Sequence, residues 1–367
     1  MIRAALVAAL TLAAPALATP FDGQSLHADV RAYVARGDHL AGSPGARTTE
    51  DWLAKRLKSL GYSIERQPVP IRIHRQRSQL LIDGQPVPAA PMWWPPTGQQ
   101  QITATLGAGG IALIDVAVKD QSYLPASLAT QVRAAAANGA RAVLLHTATS
   151  LGADGPYRFN VKADDAPWPV PVMAIGTAMA SAAQASKRPM TIKMMGEASD
   201  GVAHNVIGRL DRPGTDRLVV ISTPYTGWGP CGGERGPGIA LFLALAEWAR
   251  ANLPFDLMFI ATAGHEIGHS GMARALETGP APANTRLWLH LGASIATHAS
   301  ASSRAPNRAT RYALFSDALA PMVQASFAGE FTLVPTRVAA FGEMADVVKA
   351  GYPVHLGFAG YGPHHHL

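Results

Sequence analysis

Five consecutive residues, His265-Glu266-Ile267-Gly268-His269, combine two imidazoles and a carboxylate at a spacing that suits one divalent metal ion. On a helix, positions four apart share a face, so both imidazoles would meet one zinc ion while Glu266 stands close enough to activate a bound water. The competing reading is two surface histidines around a solvated glutamate. Asp256 through Gly264 reads as a buried strand running into a turn, and Met272 through Glu277 as a helix. The five residues therefore fall where a strand ends and a helix begins. In open α/β sheets, active sites collect at the carboxyl ends of strands.

The motif does not complete its own ligand set. Longer metalloprotease signatures carry a third histidine ten residues after the first, and that position here is Ala275. In a site with one zinc on His265 and His269, a third ligand comes from His290, Glu234 or the run His364 to His366, with Glu266 as general base. The alternative makes Glu266 a ligand. Gly232, Gly233, Gly236 and Gly238 give Glu234 a constrained turn, which suits a ligand or a solvated loop equally. His290 sits in Leu287-Trp288-Leu289-His290-Leu291, where alternation turns it away from Leu289, as a ligand or as a core histidine. Cys231 is either a zinc thiolate or a sequestered thiol. Trp93-Trp94-Pro95-Pro96 reads as an aromatic wall or a packed loop anchor. No Gly-x-Ser-x-Gly elbow stands near a strand end, which argues against a serine hydrolase.

Met1-Ile2-Arg3, an apolar run from Ala4 to Leu17 and the small residues of Ala16-Leu17-Ala18 read as a secretory signal peptide over 1–18. The expected mature chain begins near Thr19 and is exported, periplasmic or extracellular. Its apolar run is too short for a comfortable membrane span, no later segment is long enough, and Cys231 is far from a lipobox, so stable membrane insertion is not expected. One cysteine cannot form an internal disulfide, so the 367 residues, 48% of them hydrophobic, must rely on their core. The excess of 31 basic over 25 acidic residues gives +6. Its densest cluster, Arg72-Ile73-His74-Arg75-Gln76-Arg77, alternates like a solvated strand face, and with no accompanying motif no nucleic-acid partner is expected.

Helices are expected at Ser25 to Arg36, Ala46 to Leu60, Leu128 to Asn138 and Gly238 to Ala251. Strands are expected at Gln79 to Ile82, Gly110 to Val116, Arg141 to His146, His204 to Leu210, Arg217 to Thr223, Asp256 to Thr262 and Arg286 to Leu291. Strands separated by helices at this spacing imply a parallel or mixed sheet covered on both faces. The proline-rich stretch from 68 to 196 reads as an inserted module.

Gly42-Ser43-Pro44-Gly45 ahead of a helix and Leu60-Gly61-Tyr62, the passage Ala134 to Val143, and His204-Asn205-Val206-Ile207-Gly208 together form a recognisable order. The chain resembles the zinc aminopeptidases of metallopeptidase family 28, of the aminopeptidase Y and bacterial leucyl aminopeptidase type with an inserted protease-associated domain. The resemblance implies a three-layer α/β/α zinc-exopeptidase domain with a mixed sheet over 19–67 and 197–367, and a β-rich protease-associated domain over 68–196. It also implies a peptide or small amide substrate and a two-zinc site. Several family positions differ here. The histidine-x-aspartate falls on Pro224-Tyr225-Thr226, the aspartate-asparagine pair on Glu234-Arg235, and the paired glutamates on His265-Glu266. A later aspartate falls near His290, and the last histidine matches one of His364, His365 or His366. Together these residues imply a divergent, exported, zinc-dependent peptidase holding one ion, with a catalytically silent peptide- or cell-wall-binding protein as the alternative.

Overall fold

The computed structural model describes residues 20–118, 122–149, 154–214, 217–297, 310–362 and 365–366. The expected signal peptide and His364 lie outside them. Two helices, α1 (Gly23–Val34) and α2 (Pro44–Ser59), come first. Asp22 caps α1 by accepting from the Gln24 and Ser25 amides, and the Ser43 hydroxyl caps α2 at Ala46 with Pro44 in its first turn.

Two strands of unusual length then join the main sheet to a second, smaller sheet. β1 (Ser63–Ile82) and β8 (Met190–Leu210) pair antiparallel in unbroken register from Ser63 opposite Arg209 to Leu81 opposite Thr191. Positions 68 and 196, the expected limits of the inserted module, fall inside them. Their far ends take on β2 (Gln85–Val87) and β4 (Gly98–Ala104). Between them lies a second sheet in the order β3-β7-β6-β5, from β3 (Ala90–Pro91), β5 (Ile111–Val118), β6 (Ala142–Thr149) and β7 (Val172–Ile175), with α3 (Ala126–Ala137) and α4 (Thr177–Ala185). On β1, Arg75 and Arg77 are exposed, whereas His74 is buried against Trp93 and Trp94. Both tryptophans are packed anchors, less than 6% exposed.

The near ends of β1 and β8 enter a mixed sheet with β9 (Leu218–Pro224), β10 (Asp256–Thr262), β11 (Thr285–Leu291), β12 (Thr310–Phe315), β13 (Thr332–Pro335) and β14 (His355–Tyr361). The order is β13-β12-β14-β11-β9-β10-β8-β1-β2. Period-two alternation divides its side chains. Val219, Ile221, Leu257, Phe259 and Leu291 pack against α1, α2 and α5 (Gly236–Asn252). Val220, Met258, Ile260 and Trp288 pack against α6 (Ser270–Glu277) and α8 (Glu343–Lys349). The remaining helix, α7 (Ala320–Phe327), covers Phe315 and Leu356. The result is the three-layer α/β/α arrangement; most expected helices and strands lie within a few residues of the observed ones, but those at Gln79 to Ile82 and His204 to Leu210 are only the ends of β1 and β8, which begin at Ser63 and Met190.

Phe259 is wholly buried and edge-on to Tyr62 and Phe242, at ring distances of 5.3 and 5.2 Å. Phe259→Ala is expected to cost about 3–5 kcal/mol of folding stability. A shift of the urea midpoint at unchanged slope would register it.

Candidate metal centre

β10 and β11 both run parallel to β9, and β14 runs parallel to β11. Their carboxyl ends therefore open on one edge of the sheet, where the loops after them converge. Alternation decides which side chains meet there. Thr262 extends the row of Met258 and Ile260, and Ser222 and His290 extend the row of Val220 and Trp288, all toward α6 and α8.

Residues 265–269 are not helical. Gly264 and Gly268 take φ of 67° and 66°, values that glycine adopts freely, and Ile267 bridges to Val161 of the inserted segment. His269 itself stands at φ 56°, capping α6 rather than lying in it. The expectation of two imidazoles on one helical face is thus corrected. The spacing works through a turn, in which the His269 amide donates to the His265 carbonyl (3.4 Å) and the ring centres end up 4.6 Å apart.

α8 supplies a carboxylate to each imidazole. His265 Nδ1 lies 3.1 Å from Glu343 Oε1, and Glu343 also accepts from the Thr262 hydroxyl at 2.9 Å. His269 Nδ1 lies 2.7 Å from Asp346 Oδ2. An ionised carboxylate only accepts, so its partner nitrogen carries the proton and Nε2 keeps its lone pair. Metal-binding histidines are commonly oriented in this way. His290 Nδ1 lies 2.9 Å from the Ser222 hydroxyl, which accepts from Trp288 Nε1, and His365 Nδ1 lies 3.2 Å from the Ser294 hydroxyl.

These four histidines line one cavity of about 200 Å³, together with Glu343, Tyr123 and an apolar wall that includes Leu314, Phe341, Met344 and Phe358. Burial lowers His265 well below the ordinary imidazole range, His290 to about 4 and His365 to about 3. Those rings are neutral at pH 7, the form in which imidazole binds metal. Tyr123 stands edge-on to His269 at 5.8 Å. Burial raises its hydroxyl above the usual range, and the nearby carboxylates add to the effect, so it remains a proton donor.

Glu266 does not line the cavity. Its Oε1 accepts from the Ala41 amide at 2.6 Å and its Oε2 from the Thr226 hydroxyl at 2.8 Å, while Thr226 Oγ1 accepts from the Gly264 amide. The choice between base and ligand left by the sequence gives way to a third role, that of a buried hydrogen-bonding hub. Burial raises its carboxyl to about 6 in spite of those bonds.

Glu234 is elsewhere. Glu234, His365 and His366 hold ligand atoms within 4.8 Å of one another, and among the described residues no other trio does so. Glu234 Oε1 is also 2.8 Å from an Arg235 guanidinium nitrogen, and its Oε2 accepts from the His366 amide. Burial alone would push the Glu234 carboxyl up, but Arg235, His366 and His365 hold it far below the usual range. Cys231 is a buried free thiol, raised well above its ordinary value by burial, and its Sγ donates to the Trp228 carbonyl.

The positions that the resemblance assigns to two zinc ions do not fit them. Pro224 offers no side-chain donor, the Thr226 hydroxyl is spent on Glu266, and Glu234 faces a guanidinium. His265 and His269 do fit one ion, by the chemistry of two imidazoles each held by a carboxylate at Nδ1. His290 and His365 stand in the same cavity, although neither forms a preassembled trio with that pair. Glu343, Asp346, Ser222 and Tyr123 were missed by sequence reasoning. Acidic residues in a first helical turn are ordinary, so Glu343 and Asp346 carry no local signal.

No family model and no curated protein matches the sequence. Solved structures match its fold. The zinc aminopeptidase BSAP from Bacillus subtilis superposes with a TM-score of 0.70 at 16% identity, over 95% of this chain and 87% of that one. A peptidase precursor of metallopeptidase family 28 from Shewanella amazonensis gives 0.65 at 17%, over 92% and 84%. An aminopeptidase from Aneurinibacillus gives 0.59 at 18%, over 94% and 88%. The fold is therefore that of the zinc aminopeptidases.

The raised Glu266 carboxyl makes stability depend on pH. An unfolded glutamate titrates near 4.3, so between about 4.3 and about 6 the folded chain holds a proton that the unfolded chain has released. Stability falls as pH rises through that window, by roughly 2 kcal/mol from this group. Glu266→Gln is expected to remove that component from a series of urea titrations between pH 4 and 7.

Proposed function

We propose that this chain is an exported, zinc-dependent, peptidase-like hydrolase whose single metal centre is built on His265 and His269. The observation that carries the reading is the pair of α8 carboxylates on the two Nδ1 atoms, which leaves both Nε2 lone pairs available beside one cavity. An ion held there would supply Lewis-acid polarisation of an amide carbonyl and a water of lowered pKa. The chain's own groups do the rest. The Tyr123 hydroxyl donates to the oxygen that gains charge, Glu343 and Asp346 fix the imidazoles, and the wall of Leu314, Phe341, Met344 and Phe358 receives an apolar group of a peptide or small amide. Export is supported by the signal-peptide pattern of residues 1–18. None of the described helices is long and apolar enough to cross a membrane.

One observation favours a second reading. Glu266 is enclosed and Glu234 is paired with Arg235, so the carboxylates that the resemblance would place on metal are taken. A protein with that centre alone would bind peptides without cleaving them.

Elemental mass spectrometry of the mature protein, dialysed after zinc reconstitution, is expected to find one zinc per chain, and none in His269→Ala. Asp346→Asn is expected to weaken zinc about 10–100-fold, while Glu266→Gln keeps it. Release of amino acids from a peptide panel should stop in His269→Ala and on chelation. Absence of bound zinc, with saturable peptide affinity indifferent to chelators, would favour the second reading.

A further inference from the structure

Glu234 and Arg235, a buried ion pair, are both at most 2% exposed and lie outside the histidine cavity proper. Arg235 Nε donates to the Thr226 carbonyl at 2.9 Å, which fixes the plane of the guanidinium. Four buried polar atoms around it lack a well-formed hydrogen bond: both terminal nitrogens of Arg235, Oε1 of Glu234 and Nε2 of His366. Their chemistry is complementary. Guanidinium nitrogens only donate, and a carboxylate oxygen only accepts. His366 Nδ1 lies 2.8 Å from the Arg158 carbonyl, so that nitrogen bears the proton and Nε2 is an acceptor. Nε2 faces Glu234 Oε1 at 3.5 Å, an approach of two lone pairs that calls for positive charge between or beside them. Arg235 supplies it, 2.8 Å from Glu234 Oε1.

We infer that Arg235 is a tethered cation standing in for a metal ion at the Glu234, His365 and His366 donor set, and that it closes this set to zinc. The donor atoms are near enough to share an ion, and their types suit zinc. What the set lacks is room for more positive charge. A divalent ion beside the guanidinium would leave three positive charges against the single charge of Glu234. Removing the guanidinium while keeping its apolar stem should therefore create a zinc site. This inference does not depend on the cavity of His265 and His269.

The test counts zinc per chain in the mature protein and in Arg235→Met, each reconstituted with zinc alone and dialysed. Arg235→Met is expected to hold one zinc more than the parent, and the double variant Arg235→Met, Glu234→Gln is expected to lose that increment. Folding of Arg235→Met only when zinc is present would count as the same result. A folded Arg235→Met without the extra zinc overturns the inference. If that variant folds under neither condition, His366→Ala in the otherwise unaltered chain decides. An unchanged zinc count agrees with a closed site, and a fall of one shows that the set already binds metal and that Arg235 does not exclude it. A parent protein without zinc would refute the proposed catalytic centre, and the increment would then run from none to one.

Discussion

A carboxylate sealed from water holds four separate stretches of this chain together. Glu266 accepts through one oxygen from Ala41, at the approach to α2, and through the other from Thr226, in the loop after β9. Its own carbonyl accepts from the Val161 amide of the inserted segment, while its backbone belongs to the turn that carries His265 and His269. A buried carboxylate without such donors would cost several kcal/mol, so the position of the histidine turn is tied to the placement of all three neighbours. Thr226 is the hinge of the arrangement, because its hydroxyl also accepts from Gly264 and its carbonyl accepts from Arg235.

Two charge systems are built side by side on that support. On the α8 side, the imidazoles of His265 and His269 are oriented by carboxylates on their Nδ1 atoms. Burial keeps His265 and His290 neutral, since a protonated ring would lose its hydration without enough compensation. On the other side, the guanidinium of Arg235 answers Glu234, and neither group reaches solvent. The fold is that of the zinc aminopeptidases; the histidines beside α8 line one cavity, while in the loop after β9 the Thr226 hydroxyl is spent on Glu266. His365 belongs to both places, lining the cavity and standing within reach of Glu234.

The segment between β1 and β8 contributes to the site as well as to bulk. Val161 pairs with Ile267, and Tyr123 stands over His269 as part of the cavity lining. β1 and β8 connect the two, one unbroken antiparallel pair running from the main sheet toward the segment between them.

The periodicity of apolar residues, with caps such as Ser43-Pro44, marked many of the helices and strands, because those signals are local and repeat every two or every 3.6 residues, but it reached only the ends of β1 and β8 and none of the elements after β11. The residues of the site were also legible as types: His265, His269, His290, Glu234 and Glu266 stand out for their chemistry and their place near strand ends. Their roles were not. Glycines at positive φ replaced the expected helix by a turn, and that turn directed Glu266 away from the cavity. Glu343 and Asp346 pair with histidines 78 and 77 positions earlier in the chain. The sequence by itself determined the α/β layering and the set of groups able to bind metal. Only the tertiary structure decided which carboxylate faces an imidazole, which faces a guanidinium and which is enclosed by amides, because those choices rest on long-range packing and on desolvation, neither of which leaves a local trace.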